Sequence, residues 1–346
     1  MKKVGILTFN NAINYGALCQ MYGLYTVLSG GKDDVKVINY TDLTIENRYK
    51  LFQRKGNLKS DVKELLFYFV RLREKKAFVK FKERIALTVP VSDAELQNLT
   101  FDSIVVGSDQ VWNLTLTNNN LTYYLGWFEG QKYSYAASFG VNEFDDNFEK
   151  RINQLKDFDK ISVREENARV FLNGLQIQSY CNIDPVFLLD SKEWKNISIK
   201  PVYRKPYLLI YTIGYSDEII AYAKAYATKN NLKIVYIADD VLYKKGIKVV
   251  RGVSPEEWIG LFCYADCVIT NSFHGTAFSI IFNKTFFCDF VKTNFKNTNT
   301  RIDNMLKKFG IKNRNIHANI NDIDWQQVNE RIQKEREKSL NYLNSI

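Results

Sequence analysis

Short apolar runs rich in β-branched and aromatic residues alternate with longer amphipathic stretches along the whole chain. Runs that are apolar at almost every position predict strands of a parallel sheet, because such strands are buried on both faces. A first series comprises residues 4–9, 35–40, 102–107, 132–138 and 160–163. A second series comprises residues 207–213, 233–238, 248–250, 267–270 and 285–290. Two such series, with helical patterns between the runs, predict an α/β fold with two Rossmann-like halves.

A polar stretch between Asp190 and Lys205, which contains Pro201 and is followed by Pro206, separates the two series and predicts a linker. A charged stretch with sparse apolar positions closes the sequence and predicts a terminal helix docked on the body of the protein. The predicted divisions are an N-terminal domain at 1–190 with a basic helical insertion near 48–84, a C-terminal domain at 206–323 and the terminal helix at 324–346.

Composition narrows the class of protein. The chain has 346 residues, of which 46% are hydrophobic and 25% charged, as in a soluble globular protein with two domains. It contains no run of about 18 apolar residues that could span a bilayer, and its first strand pattern is too short for a secretory signal. The five cysteines lack metal-ligand spacing and predict buried thiols. We therefore expect a cytoplasmic protein.

The net charge of +10 is concentrated in residues 48–84, which hold thirteen Lys and Arg against four Asp and Glu. Within them, residues 65–72 (LLFYFVRL) predict an apolar helix with basic flanks, suited to the inner face of an anionic membrane or to a lipid-linked substrate. The alternative is a solvated helix that packs Leu65, Phe69 and Leu72 on its own domain. Nucleic acid is not an expected partner, because no recognition motif accompanies the charge.

Ligands of open α/β sheets bind beyond the carboxyl ends of the strands, so the loops that follow the predicted strands are the candidate sites. Four loops carry suitable residues. They contain Asn14, Tyr15 and Gly16 after the first strand; Ser108, Asp109 and Gln110, with Trp112 beyond them, after the third; Arg164 after the fifth; and Ser272, His274 and Gly275 after residues 267–270.

His274 is one of two histidines and lies where a buried strand meets an apolar helix. Unpaired N–H groups and the helix dipole make such a junction an anion site, and Gly275 permits close approach to the backbone. A histidine there can also carry a proton near neutral pH. The alternative is that His274 only caps the helix.

The other loops have structural alternatives as well. The turn at Asn14 is also typical of an ordinary helix start, and Asp109 could simply cap the turn that follows it. A tryptophan such as Trp112 is more often a core residue than a sugar platform. Arg164 could pair with Glu165 or Glu166 at the surface.

Together the loops resemble the polysaccharide pyruvyl transferase family. The matching segments are NYGALCQMYGL near the N-terminus, FDSIVVGSDQVW, YAASFG (135–140), ISVREENARVFL (161–172), DPVFLL (184–189) and VITNSFHGTAFSIIFNKTFF (268–287). The resemblance extends over about residues 4–310. It implies two Rossmann-like domains facing across a cleft, as in GT-B glycosyltransferases, and transfer of a pyruvyl group from phosphoenolpyruvate to a sugar as a ketal. The turn reads NYGA where many members have an NxGD-like sequence, so no acid-base role is expected there.

The resemblance also implies roles for the loop residues. Arg164 would hold the donor carboxylate through a two-pronged contact. His274 would bind the phosphate and protonate it as it leaves, and Lys284 would supply a second phosphate contact. Asp109, ahead of Asp184, is the expected base. The full sets are Arg164, Ser272, His274, Gly275 and Lys284 for the donor, and Asn14, Tyr15, Gly16, Ser108, Gln110 and Trp112 for the acceptor.

Arg164 and His274 are expected to face one cleft from opposite domains, and the scheme requires no metal or cofactor. The acceptor would be a sugar of a cell-surface polysaccharide or of its lipid-linked precursor. Two other functions remain open: a GT-B glycosyltransferase that uses a nucleotide-sugar, and a non-catalytic glycan-binding protein.

Overall fold

The computed structural model describes residues 1–49, 51, 58–140, 152–203, 205–238, 244–289, 296–318 and 322–346. The chain divides into two compact units. The first unit comprises Met1–Tyr49, Glu83–Leu189 and Ile332–Ile346; the second comprises Lys50–Lys82 and Asp190–Arg331. The predicted insertion therefore groups with the C-terminal unit, and the last turns of the chain group with the N-terminal one.

The first unit is built on parallel strands. They are β1 (Lys3–Leu7), β2 (Asp34–Val37), β3 (Ser103–Val106), β4 (Gln131–Ser134), β5 (Ile161–Val163) and β6 (Ser179–Cys181). The order is β2-β1-β3-β4, single bridges link β4 to β5, and β5 pairs with β6. Bridges from Val37 to Leu87 and from Tyr40 to Val91 add a further segment beside β2. The order thus reverses between β1 and β3, as in a Rossmann sheet.

The second unit repeats this plan. Its strands are β7 (Tyr207–Tyr211), β8 (Lys233–Ile237), β9 (Ile247–Val250), β10 (Cys267–Thr270) and β11 (Thr285–Cys288). They are all parallel in the order β11-β10-β7-β8-β9, so this order reverses between β7 and β10. The predicted α/β fold with two Rossmann-like halves is confirmed. Of the named strands, only β6 was not predicted.

The helices follow the strands. They are α1 (Tyr15–Ser29), α2 (Leu43–Glu46), α3 (Leu58–Lys82), α4 (Glu166–Gly174), α5 (Ser191–Ile197), α6 (Asp217–Lys229), α7 (Pro255–Cys263), α8 (Phe273–Ile281), α9 (Lys296–Lys308) and α10 (Trp325–Leu343). Short 3₁₀ helices span Asn47–Tyr49, Asp93–Asn98, Thr122–Tyr124, Asn153–Asp157 and Pro185–Phe187. Side chains near the end of α10 anchor it in the first unit: Arg336 Nε donates to Phe187 O, and Tyr342 Oη to Ser134 O.

The cores explain why the apolar runs form strands. β3 and β10 are buried at every position, and each fully buried aliphatic side chain contributes about 1.5–3 kcal/mol. In the first unit the core also takes in Trp112, which has no exposed surface. Its ring lies against Tyr124 and Phe158, and its Nε1 donates to Tyr123 O at 2.9 Å. Trp112 is therefore a core residue, and the expected stacking against a sugar does not fit its position.

The basic segment forms α3, although residues 50 and 52–57 lie outside the described part of the chain. The inward residues are Phe67, Phe78 and Phe81, whereas Leu65 is 58% exposed and Phe69 is 69% exposed. The expectation that Leu65 and Phe69 pack on their own domain is thus wrong, because the helix buries a different stripe. No helix in the described ranges is long and apolar enough to cross a membrane.

Candidate functional site

The carboxyl ends of β7 and β10 meet where the strand order of the second unit reverses, which is the usual ligand position in such sheets. The turn after β10 is fixed by hydroxyl groups. Ser272 N donates to Thr270 Oγ1 at 3.0 Å, Gly275 N donates to Ser272 Oγ at 3.3 Å, and Thr276 Oγ1 donates to Ser272 O at 3.0 Å. Ser272 is therefore the N-cap of α8.

His274 is the second residue of α8 and is half-buried, with its ring edge-on to Phe273 at 5.1 Å between centroids. The alternative that His274 caps the helix is wrong, since Ser272 has that role. The imidazole thus lies in the first helical turn, where the positive end of the dipole favours an anion.

Gly275 is required by the packing of this turn. A Cβ at this position would lie 2.3 Å from Thr270 Oγ1 and 3.1 Å from Tyr211 Cδ1. Any side chain would push the start of α8 away from the end of β10. The glycine therefore sets the distance between the strand end and the first helical turn.

Asn271 joins the two strand ends at this reversal. Its Oδ1 accepts a hydrogen bond from Ile213 N at 2.6 Å, and its Nδ2 donates to Ile213 O at 3.1 Å. The amide thus pairs with the backbone as a neighbouring strand would, while being 4% exposed. Asn271 holds the loop after β7 against the His274 turn.

Lys284 does not reach this turn. It precedes β11, and in the register of the parallel pair it lies level with Asp266 at the amino end of β10. The nine residues of α8 carry the chain about 13 Å back across the sheet between His274 and Lys284. Burial lowers the pKa of Lys284, and its titratable neighbours are Cys263, Asp266 and Lys195. The expected second phosphate contact is therefore wrong.

In the first unit, Arg164 is buried at the end of β5. Its Nε donates to Glu165 Oε1 at 3.0 Å, and its Nη1 donates to Asp184 Oδ2 at 2.8 Å. Burial acts to lower the pKa of Arg164, but Glu165, Asp184 and the more remote Asp109 raise it overall. The pairing partners are Glu165 and the distant Asp184, not Glu166, and the ion pairs are internal rather than at the surface.

Hydroxyl groups complete this cluster. Ser138 Oγ donates to Glu165 Oε1 at 2.9 Å, and Ser108 Oγ donates to Asp184 Oδ2 at 3.3 Å. Asp184 also accepts from Val186 N at 3.1 Å, so both its oxygens are engaged. These contacts make Asp184 a structural carboxylate and a poor base.

Asp109 is half-buried at the carboxyl end of β3 and has a φ of 74°. Left-handed backbone is uncommon in non-glycine residues, although aspartate adopts it more readily than most. Its Oδ1 accepts from Gln110 N at 2.9 Å, and Gln110 Oε1 in turn accepts from Asn113 Nδ2. Of the carboxylates near Arg164, Asp109 has the more accessible side chain.

The turn after β1 is chiefly a helix start. Asn14 is exposed and caps α1, with its Oδ1 accepting from Ala17 N at 3.0 Å. Tyr15 and Gly16 are buried within the first helical turn. Only Asn14 of these three presents a polar side chain to solvent.

Comparison with protein families fits this arrangement. The family model described as polysaccharide pyruvyl transferase matches residues 14–288, which include both strand-end clusters. The chain belongs to the polysaccharide pyruvyl transferase family. No curated protein matches it significantly.

Solved structures similar to this family member include UDP-N-acetylglucosamine 2-epimerases of the GT-B fold. The UDP-GlcNAc 2-epimerase from Methanocaldococcus jannaschii is 14% identical, with a TM-score of 0.50, over 96% of this chain and 92% of the other. Another UDP-N-acetylglucosamine 2-epimerase is 7% identical, with a TM-score of 0.52, over 99% and 90%. At these identities the likeness concerns the fold alone.

For this pyruvyl transferase family member, sequence reasoning overlooked Asn271 and the ion pair between Arg164 and Asp184, whereas pairing of Arg164 with Glu165 was among its alternatives. Asn271 directly follows a buried strand and lies within the matching segment, so its position gave a usable signal. The pairing of Arg164 with Asp184, 20 residues away, gave none. In the described ranges, no three His, Cys, Asp or Glu side chains converge on a point that could hold a metal ion.

Proposed function

We propose that this protein transfers the pyruvyl group of phosphoenolpyruvate, in the cytoplasm, to a sugar of a cell-surface polysaccharide or of its lipid-linked precursor. The observation that carries the proposal is the His274 turn, a capped helix N-terminus at the strand-order reversal of a family member. Membership of the family supports the reaction class. Contact with a membrane through residues 48–84 is a separate proposal and is developed in the next subsection.

The donor phosphate would bind at the first turn of α8. Ser272 and His274 offer a hydroxyl and an imidazole at this turn, and the hydrogen bonds that fix Ser272 and Gly275 there are made with hydroxyl and backbone groups. A phosphate placed there gains from the helix dipole and from charge-assisted hydrogen bonds. His274 would give a proton to the phosphate as it leaves.

The reaction balances with two sugar hydroxyls and one donor. C2 of phosphoenolpyruvate forms two new bonds to hydroxyl oxygens, its methylene carbon takes up a proton to become a methyl group, and the bond from C2 to the phosphate oxygen breaks. One hydroxyl proton is balanced by protonation of the methylene carbon, and the other leaves with the phosphate. A base is therefore needed near the acceptor, and an acid near the phosphate.

Asp109 is the proposed base, with Asn14 and Gln110 as acceptor contacts. Ser108 has no exposed surface and donates to Asp184, so the acceptor contact expected of it does not fit its position. Arg164 takes a different role from the one expected. Two carboxylates already engage its Nε and Nη1, and its side chain is buried with them, so we propose that it acts on these carboxylates rather than on the donor. We assign Arg164 to positioning: it holds Glu165 and Asp184, and through them Ser138 and Ser108.

The test is phosphate release from phosphoenolpyruvate in the presence of a panel of glycosides and lipid-linked sugars. We expect release that depends on one acceptor and a new ketal in the product by mass spectrometry. Calorimetric titration with phosphoenolpyruvate and with uridine diphosphate distinguishes the donors. Binding of the nucleotide alone would favour a glycosyltransferase, and binding of neither would favour a non-catalytic glycan-binding protein; either result would overturn the proposal.

A further inference from the structure

Helix α3 has two distinct faces. Successive residues are rotated by about 100°, so Phe67, Phe78 and Phe81 fall on one side, and all three are buried. The acidic residues Glu64 and Glu74 lie on this inward side and are also buried. The inward face thus supplies the buried side chains through which the helix packs against the protein.

The opposite face carries apolar side chains in contact with solvent. Leu65, Phe69 and Val79 are 58%, 69% and 54% exposed, and they lie within about 80° of each other around the helix. Exposed large apolar residues in one row are a common mark of an interaction surface. We call Leu65, Phe69, Lys76 and Val79 the outer face of α3.

Within the described part of α3, the exposed charges around the outer face are positive, and one of them, Arg73, lies 3.7 Å from Glu257 of α7. Arg73, Lys75, Lys76 and Lys80 are exposed, while the described acidic residues within α3 are buried, and Glu64 is paired with Arg71. Folding therefore removes the negative groups from this surface and leaves the positive ones in water. An amphipathic helix with this pattern can insert its apolar side chains while its lysines contact anionic headgroups.

A neighbouring loop extends the surface within the second unit. Ile199 is 51% exposed and Val202 is 97% exposed, with Lys200 between them. Ile199 N donates to Glu256 O at 2.9 Å, and the next residue, Glu257, lies 3.7 Å from Arg73 of α3. The loop and α3 therefore both contact the first turn of α7.

We propose that the outer face of α3, together with the loop at 199–202, binds the surface of an anionic lipid bilayer. Charge complementarity favours this partner, because lipid headgroups supply negative charge around an interior that accepts leucine, phenylalanine and valine. A nucleic acid would satisfy the lysines but not the apolar row. The proposal does not rest on the proposed reaction, and its test requires no turnover.

The test is co-sedimentation of the full chain with phosphatidylcholine vesicles, with and without phosphatidylserine, at low ionic strength. The charge variant is Lys75→Gln/Lys76→Gln/Lys80→Gln, and its matched control is Lys224→Gln/Lys229→Gln/Lys233→Gln, three exposed lysines elsewhere in the second unit. The apolar variant is Leu65→Ser/Phe69→Ser, and its control is Val89→Ser/Val170→Ser, two exposed valines of the first unit.

We expect binding that requires phosphatidylserine and falls with added salt. The charge variant should bind about 100-fold more weakly, which corresponds to about 1 kcal/mol per basic residue near the surface. The apolar variant should lose at least about tenfold, and both controls should bind as the wild type does. All substituted side chains are exposed, so unfolding temperatures should stay unchanged.

Three results would overturn the proposal. They are failure of the wild type to bind phosphatidylserine vesicles, equal binding to vesicles with and without phosphatidylserine, and equal weakening by the charge variant and its control. The first would mean that the outer face is simply exposed to solvent or binds a protein partner. The second would show that the negative headgroup charge is not recognised, and the third would show electrostatic attraction without a defined surface.

Discussion

The His274 turn and the Arg164 cluster both lie at the carboxyl end of a buried strand but have different surroundings. Each follows a buried strand and leads into a helix. The hydrogen bonds that fix the His274 turn involve hydroxyl and backbone groups, whereas Arg164 donates to two carboxylates. With both carboxylates ionised, the Arg164 cluster is negative overall, although its sequence suggests a cation. The comparison teaches that the formal charge of a residue is a poor guide to where an anion can bind.

The largest expected effect concerns His274. If it protonates the leaving phosphate, His274→Gln should lower kcat for phosphate release by about 10²- to 10⁴-fold. Stability should change by less than about 1 kcal/mol, because Ser272 provides the N-cap. The control is His317→Gln, which alters the only other histidine, an exposed residue paired with Glu218. Phosphate release at the wild-type rate in the His274 variant would show that the His274 turn of the second unit does not act on the leaving phosphate.

The Arg164 cluster should respond in stability. Arg164→Gln leaves Glu165 and Asp184 buried without their cation, which should lower the free energy of unfolding by about 3–5 kcal/mol. Arg169→Gln, which removes a more exposed ion pair with Glu166, should cost less than about 1 kcal/mol. Denaturant unfolding of both variants measures the difference.

Arg164→Lys keeps the positive charge and replaces Arg164→Gln in the unfolding measurement if the glutamine variant does not fold. A single ammonium cannot contact both carboxylates as the guanidinium does, so an intermediate loss of stability is expected. If the lysine variant instead kept full stability and lost only its affinity for phosphoenolpyruvate, Arg164 would be a donor-binding residue, and the contrast between the two clusters would disappear.

Gly275 tests the packing of the turn. Gly275→Ala places a methyl group 2.3 Å from Thr270 Oγ1, and we expect a loss of about 1–3 kcal/mol from the strain. Gly174→Ala is the matched control at the end of α4, where an added Cβ meets nothing within 4 Å. Thermal unfolding should separate the two variants. Equal stability would mean that the start of α8 is free to move.

Sequence reasoning succeeded where the signal is local. The strand runs were found because continuous apolar character over four to six residues is itself the cause of burial. β6 was overlooked because it has three residues and its middle side chain, Tyr180, is 40% exposed. The α3 pattern fits two apolar faces, one with Leu65 and Phe69 and one with Phe67 and Phe78, and periodicity alone does not choose between them.

The errors at the site come from chain direction and from contacts distant in sequence. Lys284 is only ten residues from His274, but α8 returns it to the opposite edge of the sheet. Trp112 follows a candidate loop closely, yet its ring turns into the core. Asp184 is recognised as a partner of Arg164 only once the fold brings β5, β6 and the segment at Asp184 together.

The smallest expected effect compares how each unit ties its two strand ends together. In the second unit the Asn271 side chain pairs with both backbone groups of Ile213, and in the first unit Thr8 Oγ1 donates to Ser108 O at 3.0 Å. Asn271→Ser and Thr8→Val should each cost about 1–2 kcal/mol, because one or two partly buried hydrogen bonds are lost. Only Asn271→Ser should raise the KM for phosphoenolpyruvate, by about tenfold with kcat nearly unchanged, because the loop after β7 would no longer be held against the proposed phosphate site. Thr8→Val should leave that KM unchanged. Steady-state kinetics at varied donor concentration provide the measurement, and an equal rise of KM in both variants would show that donor binding is not confined to the His274 turn.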